Sequence, residues 1–217
     1  MIGQDLPFYY EDSVVKNIRI VAWILVFIVV GFMAYQKFVP SELSDTEKMA
    51  LVQGEILPYA LTSHLGAPVS HTDFSGRYQL VYFGYSFCPT FCPTDLSRMS
   101  AALTMLEKQG VDVSFVQPIF ITIDPARDTV AQMADTVSLY HPSLLGLTGS
   151  EEEIKAVADT FQVYFKKDGD PEAVADYLMS HMNIIFLLNK EGRRIHMFGH
   201  ESTAADIAKV LLQVRGL

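Results

Sequence analysis

The sequence has no basic cluster, no glycine-rich phosphate loop, no internal repeat and no low-complexity tract. Its formal net charge at pH 7 is -9. Because a nucleic-acid-binding protein needs a basic surface to neutralise phosphates, this charge argues against nucleic acid as a partner. Half of the 217 residues are hydrophobic, which is enough for one ordinary domain and one additional segment.

Cysteine is also scarce, since the chain has only 2, Cys88 and Cys92, placed four positions apart. On a helix, residues i and i+4 lie on the same face, so both sulfurs can point at one spot. Facing thiolates can close a disulfide, or they can hold a soft metal such as Cu(I) or Zn(II). Two buried structural cysteines are the plainer alternative.

The cysteines follow an apolar run at residues 80–83 and precede a helical pattern that begins after Pro93. We therefore place the pair at a strand-to-helix turn. A helix N-terminus carries a partial positive charge and free amide donors, which favour thiolate and lower the pKa of a cysteine. Disulfide chemistry and metal binding both need thiolate, so this position suits either function.

The one long apolar run covers residues 20–35, and residues 18–38 together provide about the 20 positions that a bilayer crossing needs. Arg19 and Lys37 lie near its ends, where charged side chains can reach the interface. We predict a single transmembrane helix over residues 18–38, in preference to a buried core helix or a cleaved signal peptide. The latter is disfavoured because no A-x-A cleavage site follows the run.

Charge alone does not orient this segment. Lys16 and Arg19 on one side are matched by Lys37 and Lys48 on the other. The segment before position 19 is partly acidic and lacks arginine, which is not typical of an organellar transit peptide. We therefore favour a bacterial signal anchor, with residues 1–17 as a short cytoplasmic head.

After the anchor we predict a linker at residues 39–64, with one helical turn at 46–53, and a folded domain at residues 65–217. The predicted strands lie at residues 68–72, 77–85, 113–123, 144–147, 164–165, 182–188 and 194–198; the predicted helices lie at 93–108, 129–140, 150–161 and from 202 onward; and residues 166–180 are mostly loop. This order indicates an α/β fold in which helices cover both faces of the sheet.

Two helix starts carry capping signals. Ser150 and Glu153 form the clearer capping box, and Thr129 with Gln132 resembles a second. In such a box the first side chain accepts from the backbone amide three residues later, and the fourth side chain accepts from the first backbone amide. The box at Ser150 predicts the start of the helix at 150–161, and the pair at Thr129 predicts the start of the helix at 129–140.

Several motifs now point to a family. The chain has YFGYSFCPTFCPTDL around the cysteines, then ITIDPARDT, then LTGS, then DYLMSH ahead of a strand. With the apolar segment in register, this set closely resembles the SCO/SenC family of copper-binding, thioredoxin-like proteins that help to mature cytochrome c oxidase. The resemblance covers the chain from about Leu80 to its end. No single motif would suffice, because CxxxC alone is a weak signal.

The resemblance implies a thioredoxin-like fold and a copper site. Cys88 and Cys92 match the paired thiolates of the family, and His181 matches its third ligand. Two sulfurs and one imidazole nitrogen make a three-coordinate donor set that suits Cu(I), Cu(II) or both. In thioredoxin-like folds the loop before the strand that follows His181 lies beside the cysteine turn, which agrees with this assignment.

The implied function is that of a membrane-anchored copper chaperone rather than an enzyme. It would bind one copper ion and deliver it to a copper-receiving subunit of cytochrome c oxidase, with an upstream copper donor and a thiol reductant as further partners. One alternative is a thiol-disulfide oxidoreductase in which Cys88 and Cys92 are the redox-active pair. Another is a copper or redox sensor. We expect a single-pass protein of the bacterial inner membrane with its domain in the periplasm; the alternative is the mitochondrial inner membrane, facing the intermembrane space.

The other five histidines have plainer interpretations. His64, His71 and His141 lie in the predicted linker or at element ends, where solvated or capping roles are usual. His196 and His200 lie on the last strand and just after it. They are candidates to contact the metal ligands without binding the metal themselves, although a structural role is the simpler expectation.

The DPARDT segment places Asp124 and Asp128 on either side of Arg127. Taken locally, this pattern predicts helix capping and an ion pair worth about 1 kcal/mol. In the family the segment lies near the metal loop, so the resemblance adds a supporting role there.

The chain departs from the usual family pattern in three places. Ser86 and Phe87 stand where the family usually has Thr-His, Thr90 stands where it usually has an acidic residue, and Ser180 stands where it often has an aspartate. The thiolates and the imidazole are retained. The loss of nearby negative charge is expected to change the relative affinity for Cu(II) and Cu(I) and the surface that a partner contacts.

Overall fold

The computed structural model describes residues 9–38, 56–169 and 177–216. The chain divides into two compact units, Met1–Asp45 and Thr46–Leu217. In the first unit, helix α1 spans Tyr9–Phe38 and so begins inside the segment predicted as a head. The helical turn predicted at residues 46–53 lies outside the described residues, as does most of the predicted linker.

Helix α1 covers the whole segment that was predicted to cross a membrane. A crossing needs about 20 predominantly apolar residues. Within the described ranges, no helix has the combination of length and apolarity that a bilayer span requires. The structure therefore shows a helix over residues 18–38 but does not confirm the predicted transmembrane anchor.

The second unit is built on a sheet of seven strands in the order β2-β1-β5-β4-β3-β8-β9, with β6 and β7 paired separately. The strands are β1 (Ala60–Ser63), β2 (Pro68–Ser70), β3 (Tyr78–Gly84), β4 (Val116–Thr122), β5 (Leu145–Thr148), β6 (Phe165–Asp168), β7 (Leu178–His181), β8 (Ile185–Leu188) and β9 (Arg194–Phe198). Strands β3, β4 and β5 run parallel, and the other pairings are antiparallel. Every residue of β3 is buried, as its continuous apolar run predicts for a central strand.

The register of the two central strands brings two loops to one edge. Tyr78 of β3 pairs with Val116 of β4, and Gly84 pairs with Thr122, so the strands end level with each other. The cysteine turn follows β3, and the DPARDT segment follows β4. Parallel strands thus place these two loops side by side, as α/β folds do at the carboxyl edge of a sheet.

Helices cover both faces of the sheet, as predicted. They are α2 (Phe91–Lys108), α3 (Val130–Val137), α4 (Glu151–Phe161) and α5 (Ala204–Arg215). Side chains alternate between faces along a strand. On one face of β3, Gly84 lies against Cys92 of α2, whose Sγ would be 2.7 Å from a Cβ added at the glycine. On the other face, the ring centroid of Phe83 is 5.1 Å from that of Phe161 in α4.

The two predicted helix caps differ. The Ser150 hydroxyl accepts from the amide of Glu153 at 3.2 Å, and the Glu153 carboxylate accepts from the Ser150 amide at 2.7 Å, so this capping box is confirmed. Thr129 accepts from the amide of Gln132 at 3.3 Å. The Gln132 side chain, however, donates to Thr136 at 3.5 Å, so the second cap is one-sided.

Three strands extend into segments for which the sequence predicted a linker or a loop. Strand β1 lies inside the segment predicted as a linker, so the sheet begins before Leu65. Strand β6 begins in the brief strand predicted at 164–165, but it continues to Asp168, and β7 begins at Leu178, so both strands extend into residues 166–180, which were predicted to be mostly loop. Both errors have one cause. β1 is only four residues long, and the β6–β7 hairpin is polar and half-exposed, so neither shows the apolar run or alternation on which strand prediction depends.

Candidate metal centre

Three potential metal donors from two distant segments meet at the carboxyl edge of the sheet. The sulfurs of Cys88 and Cys92 and a ring nitrogen of His181 all lie within 4.8 Å of one another. Both cysteines are buried and free, and His181 is half-buried. Across the residues that the structure describes, no other cluster of three histidine, cysteine or acidic side chains has a geometry that could hold a metal ion.

The spacing argument used the geometry of a helix for both cysteines, but only Cys92 lies in the helix. Cys88 lies in the turn before α2, and Cys92 lies in the first turn of the helix. The backbone amide of Cys92 donates to the Cys88 sulfur at 3.5 Å. The Cys88 sulfur therefore occupies the place of a helix-capping acceptor, and the two sulfurs still face each other because the chain turns between them.

The pKa values of the two thiols are shifted in opposite directions. The pKa of Cys88 is lowered to about 3, chiefly by the hydrogen bond from the Cys92 thiol and further by the neighbouring His181 and by the amides of Cys92 and Thr90, against the opposing effect of burial. The pKa of Cys92 is raised, first by its hydrogen bond to Cys88 and second by burial. The helix N-terminus was expected to lower the pKa of a cysteine; its amides contribute to the lowered pKa of Cys88, but the main cause is the Cys92 thiol. The pair consists of one thiolate and one thiol that donates to it.

His181 presents one particular nitrogen to the sulfurs. Its Nδ1 atom lies 3.1 Å from the carbonyl oxygen of Met182, which can only accept a hydrogen bond. Nδ1 must therefore carry the ring proton in the neutral imidazole, and Nε2 carries the lone pair. Nε2 is the atom that faces Cys92 Sγ, at 3.4 Å. The tautomer that this contact selects is the one that can bind a metal through Nε2.

Two tyrosines enclose the imidazole. The ring centroids of Tyr82 and Tyr85 lie 6.2 Å and 6.1 Å from that of His181, both edge-on. The Tyr85 hydroxyl also accepts from the backbone amide of Met179 in β7, at 3.2 Å. These contacts restrict the ring to one orientation and limit the access of water to the donors.

Gly84 packs against the Cys92 sulfur, and a glycine is needed there because there is no room for a side chain, not because of the backbone conformation. A Cβ at this position would lie 2.7 Å from Cys92 Sγ, 2.9 Å from the Tyr82 ring and 3.2 Å from the Phe120 ring. Distances under 3.0 Å force a shift of the neighbours. Only glycine lets α2 approach β3 closely enough to hold the Cys92 sulfur at its present depth.

Asp128 holds the loop that precedes Cys88. Its carboxylate accepts from the Ser86 amide at 3.0 Å, from the Ser86 hydroxyl, and from the Thr122 hydroxyl at 2.6 Å. Burial raises the pKa of this carboxyl, against the lowering effect of these hydrogen bonds. Sequence analysis predicted a helix cap at this position. The link to Ser86 could have been anticipated only from the pairing of β3 with β4.

The other histidines serve elsewhere. His64 Nδ1 accepts from the Gly146 amide at 3.1 Å. His141 Nδ1 lies 2.7 Å from the Ser143 hydroxyl. The ring of His200 is 6.2 Å from that of Phe91, the residue before Cys92. His196 packs on Phe198, and burial lowers its pKa.

Fold and site together define a thioredoxin-like α/β protein that carries two thiols and an imidazole as one donor group. The chain is similar to two structures of Sco proteins with copper bound. That of Arabidopsis thaliana ScoI is 34% identical over 76% of this chain and 99% of its own, with a TM-score of 0.66. That of Bradyrhizobium japonicum ScoI is 35% identical over 76% of this chain and 99% of its own, with a TM-score of 0.65.

The same similarity is found with curated proteins. Protein sco1 of Schizosaccharomyces pombe is 43% identical over 70% of this chain and 58% of its own length. The SCO2 homolog of mouse, described as mitochondrial, is 38% identical over 74% of this chain and 61% of its own length. The chain thus spans less than two thirds of these two relatives.

The model of the SCO1/SenC family matches residues 47–215. The chain belongs to the SCO1/SenC family, and its predicted thioredoxin-like fold is confirmed. Copper is bound in the two related structures, and the Cys-Cys-His group of this chain is a donor set that can bind copper.

Proposed function

We propose that this protein is a copper chaperone that binds one copper ion through Cys88, Cys92 and His181 and delivers it to a subunit of cytochrome c oxidase. The observation that carries the proposal is the convergence of two sulfurs and a correctly protonated imidazole within 4.8 Å. Two soft sulfurs and one nitrogen suit Cu(I), and the imidazole also suits Cu(II). Three ligands leave a coordination position at which a receiving protein can begin ligand exchange.

Loading of the cargo follows from the acidities of the donors. Cys88 is already a thiolate, and Nε2 of His181 already carries its lone pair. Only Cys92 must lose a proton when copper binds, because metal ligation requires the deprotonated sulfur. We therefore expect about one proton to be released for each copper bound near neutral pH.

Metal analysis combined with absorption spectroscopy tests this proposal. One copper per chain, with a thiolate-to-Cu(II) charge-transfer band that is lost in Cys88→Ser and Cys92→Ser, is the expected result. Copper transfer to a purified copper-receiving oxidase domain, followed by the spectrum of the receiver, then tests delivery. Sub-stoichiometric copper without a thiolate band would overturn the proposal.

A thiol-disulfide oxidoreductase is the second candidate, and the thiolate-thiol pair is the observation that favours it. The Cys88 thiolate would attack a partner's disulfide and release one partner thiolate, which takes up a proton. The Cys92 thiol would then lose its proton and attack the mixed disulfide, which frees the second partner thiol and leaves a Cys88–Cys92 disulfide. The imidazole takes no part in this sequence of bonds. Activity that survives His181→Ala would therefore favour this function over copper delivery.

Location and attachment belong to the same proposal. Apolar composition supports membrane attachment through residues 18–38. Relatives described as mitochondrial in mouse and Saccharomyces cerevisiae support the mitochondrial alternative. In the periplasm or the intermembrane space, an upstream donor would supply the copper. A thiol reductant would be needed as well, because an oxidising compartment favours the disulfide. Carbonate extraction of the native membrane fraction, compared with that of a chain lacking residues 1–38, tests the attachment.

A further inference from the structure

The ligand His181 is carried by a hairpin that pairs apart from the main sheet. Strands β6 and β7 form a two-stranded antiparallel sheet in which Phe165 pairs with His181 and Asp168 pairs with Leu178. In the described part of the chain, neither strand pairs with the seven-stranded sheet. The position of the imidazole relative to the sulfurs therefore depends on the three-residue connection from β7 to β8 and on side-chain contacts between the hairpin and the domain.

Arg127 makes the densest set of these contacts at the base of β7. Its Nε donates to Asp124 at 2.5 Å, and its Nη1 donates to the carbonyl oxygen of Tyr177 at 3.1 Å. The guanidinium carbon lies 3.6 Å from the centroid of the Tyr177 ring. The Tyr177 hydroxyl in turn donates to Asp124 at 2.6 Å. The three residues form a closed ring of contacts, and Tyr177 is the residue directly before β7.

The same guanidinium also contacts the cysteine side of the site. Its central carbon lies 4.9 Å from the centroid of the Phe87 ring and 5.6 Å from that of Tyr85. Phe87 is the residue before Cys88, and Tyr85 accepts from the Met179 amide of β7. Arg127 therefore lies between the turn that carries the thiolate and the hairpin that carries the imidazole.

We propose that Arg127 is a positioning residue for the donor group: it joins the His181 hairpin to the cysteine turn and so sets the separation between imidazole and sulfurs. This rests on the proposed function, since it assigns Arg127 a role in that same copper site. A guanidinium suits the role because its planar face stacks on aromatic rings while its edge donates in fixed directions. The local ion pair that the sequence pattern predicted needs neither feature, and the supporting role that the family resemblance implied for this segment did not specify Arg127.

Asp128 provides an internal comparison, because its carboxylate holds the cysteine turn through Ser86 and accepts its other side-chain hydrogen bond from Thr122 of β4. These two adjacent residues therefore differ in what they hold, because Arg127 contacts the hairpin as well as the cysteine turn, whereas Asp128 holds the cysteine turn. A defect at Arg127 should appear at the hairpin and at His181. A defect at Asp128 should appear at Ser86 and Cys88.

The test compares Arg127→Met and Arg127→Lys with the control Arg77→Met in the full chain. Arg77 also stacks on an aromatic ring, 5.2 Å from the centroid of Phe74, but at the opposite end of β3 from the cysteines. The first readout needs no copper: hydrogen exchange of the Met179 amide and the nitrogen chemical shifts of the His181 ring. The second is copper affinity against a competing chelator.

For Arg127→Met we expect Met179 exchange to be faster by about tenfold or more, the His181 signals to move, and copper affinity to fall by about 10- to 100-fold, the range found for outer-shell partners of metal ligands. Arg127→Lys keeps the charge beside Asp124 but loses the stacked plane, so it should rescue only part of each effect. Arg77→Met should leave the hairpin and His181 unchanged.

Unchanged exchange and unchanged His181 signals in Arg127→Met would overturn the proposal. If Arg127→Met does not fold, Tyr177→Phe and Tyr177→Ala decide: the phenylalanine keeps the stacked ring, so the alanine variant should disturb His181 more, and equal behaviour contradicts the role of stacking. Failure of the proposed function is a separate result. A wild-type chain that binds no copper would refute the chaperone, while the copper-free readout would still decide what Arg127 does.

Discussion

The Nε2 atom of His181 lies 3.4 Å from the Sγ atom of Cys92, although 89 positions separate the two residues. This contact joins the first turn of α2 to the hairpin that precedes β8. It also separates the two candidate functions, because metal binding uses the imidazole and sulfur exchange does not. The predictions below depend on this difference or on the packing beneath it.

Replacing His181 by alanine should lower copper affinity by at least about tenfold and leave formation of the Cys88–Cys92 disulfide intact. In the proposed site the imidazole donates its Nε2 lone pair to the metal, whereas it takes no part in thiol-disulfide exchange. Chelator competition measures the first effect, and thiol titration after mild oxidation measures the second. His200→Ala is the control, since that side chain is 67% exposed and contacts Phe91 rather than the donors. Unchanged copper affinity in His181→Ala would remove the imidazole from the ligand set.

The reactivity of Cys88 should hardly change with pH between about 5 and 8. Its pKa is lowered to about 3, so the thiolate is fully formed across this range. Cys92→Ala removes the main hydrogen-bond donor, so the pKa of Cys88 should rise and alkylation at pH 5 should become slower. Cys92→Ser keeps a donor at the same position and is the matched control. Alkylation by iodoacetamide with mass detection of Cys88 follows the change, and identical pH profiles for the alanine and serine variants would contradict this assignment.

The same depressed pKa predicts how stability depends on pH. An ordinary cysteine titrates near about 8.5, as in the unfolded chain. The Cys88 thiolate therefore contributes its full stabilisation above that pH, and the contribution is lost as pH falls toward the folded value of about 3. Denaturant unfolding of the reduced protein and of Cys88→Ser should show a stability difference that grows from pH 5 to pH 8. A difference that shrinks over this interval would reverse the sign of the argument.

Copper and the Cys88–Cys92 disulfide should exclude each other. A disulfide consumes both sulfurs, and copper needs both in deprotonated form, so the oxidised protein should bind copper far more weakly than the reduced protein. Anaerobic titration of both forms against a chelator measures the difference. The buried, facing sulfurs need only a local change of the turn, so the circular dichroism of the two forms should match. Equal copper retention by both forms would mean that the cysteines are not the ligands.

Gly84→Ala should destabilise the domain by about 1–3 kcal/mol, the usual cost of overpacking a well-packed core. The new methyl group would lie 2.7 Å from Cys92 Sγ, so the sulfur must move and copper affinity should fall as well. Gly216→Ala is the control, because a Cβ there would have its nearest contact at 3.7 Å. Denaturant unfolding and chelator competition measure the two effects. A Gly84→Ala protein with wild-type stability would show that α2 can move away from β3 at little cost.

Much of the central sheet could be predicted from the sequence, because its strands are continuous apolar runs. The run before Gly84 predicts a buried strand, and the structure buries every residue of it. The helix that follows was predicted to begin at Pro93 and begins at Phe91. What the local pattern could not supply was Ala60–Ser63, whose four residues make a strand only because β5 and β2 lie on either side.

The donor group was predictable only in part. The spacing of Cys88 and Cys92 indicated facing sulfurs, but nothing within a few residues of His181 distinguishes it from the other histidines. Its assignment came from the family resemblance, and the structure adds the distances. Local periodicity could not show that Arg127 contacts Tyr177, because 50 residues separate them and the partner lies on a polar hairpin.

The sulfur of Cys88 doubles as the cap of α2, with consequences for the helix itself. The side chain of Thr90 makes no capping bond, whereas the Cys92 amide donates to the Cys88 sulfur. A disulfide or a bound metal draws electron density away from that sulfur and weakens it as an acceptor for the amide. The strength of this hydrogen bond in the first turn of α2 therefore depends on the chemical state of the thiols. The amide resonance of Cys92 then becomes a spectroscopic reporter that distinguishes the reduced, oxidised and loaded chains without any added label.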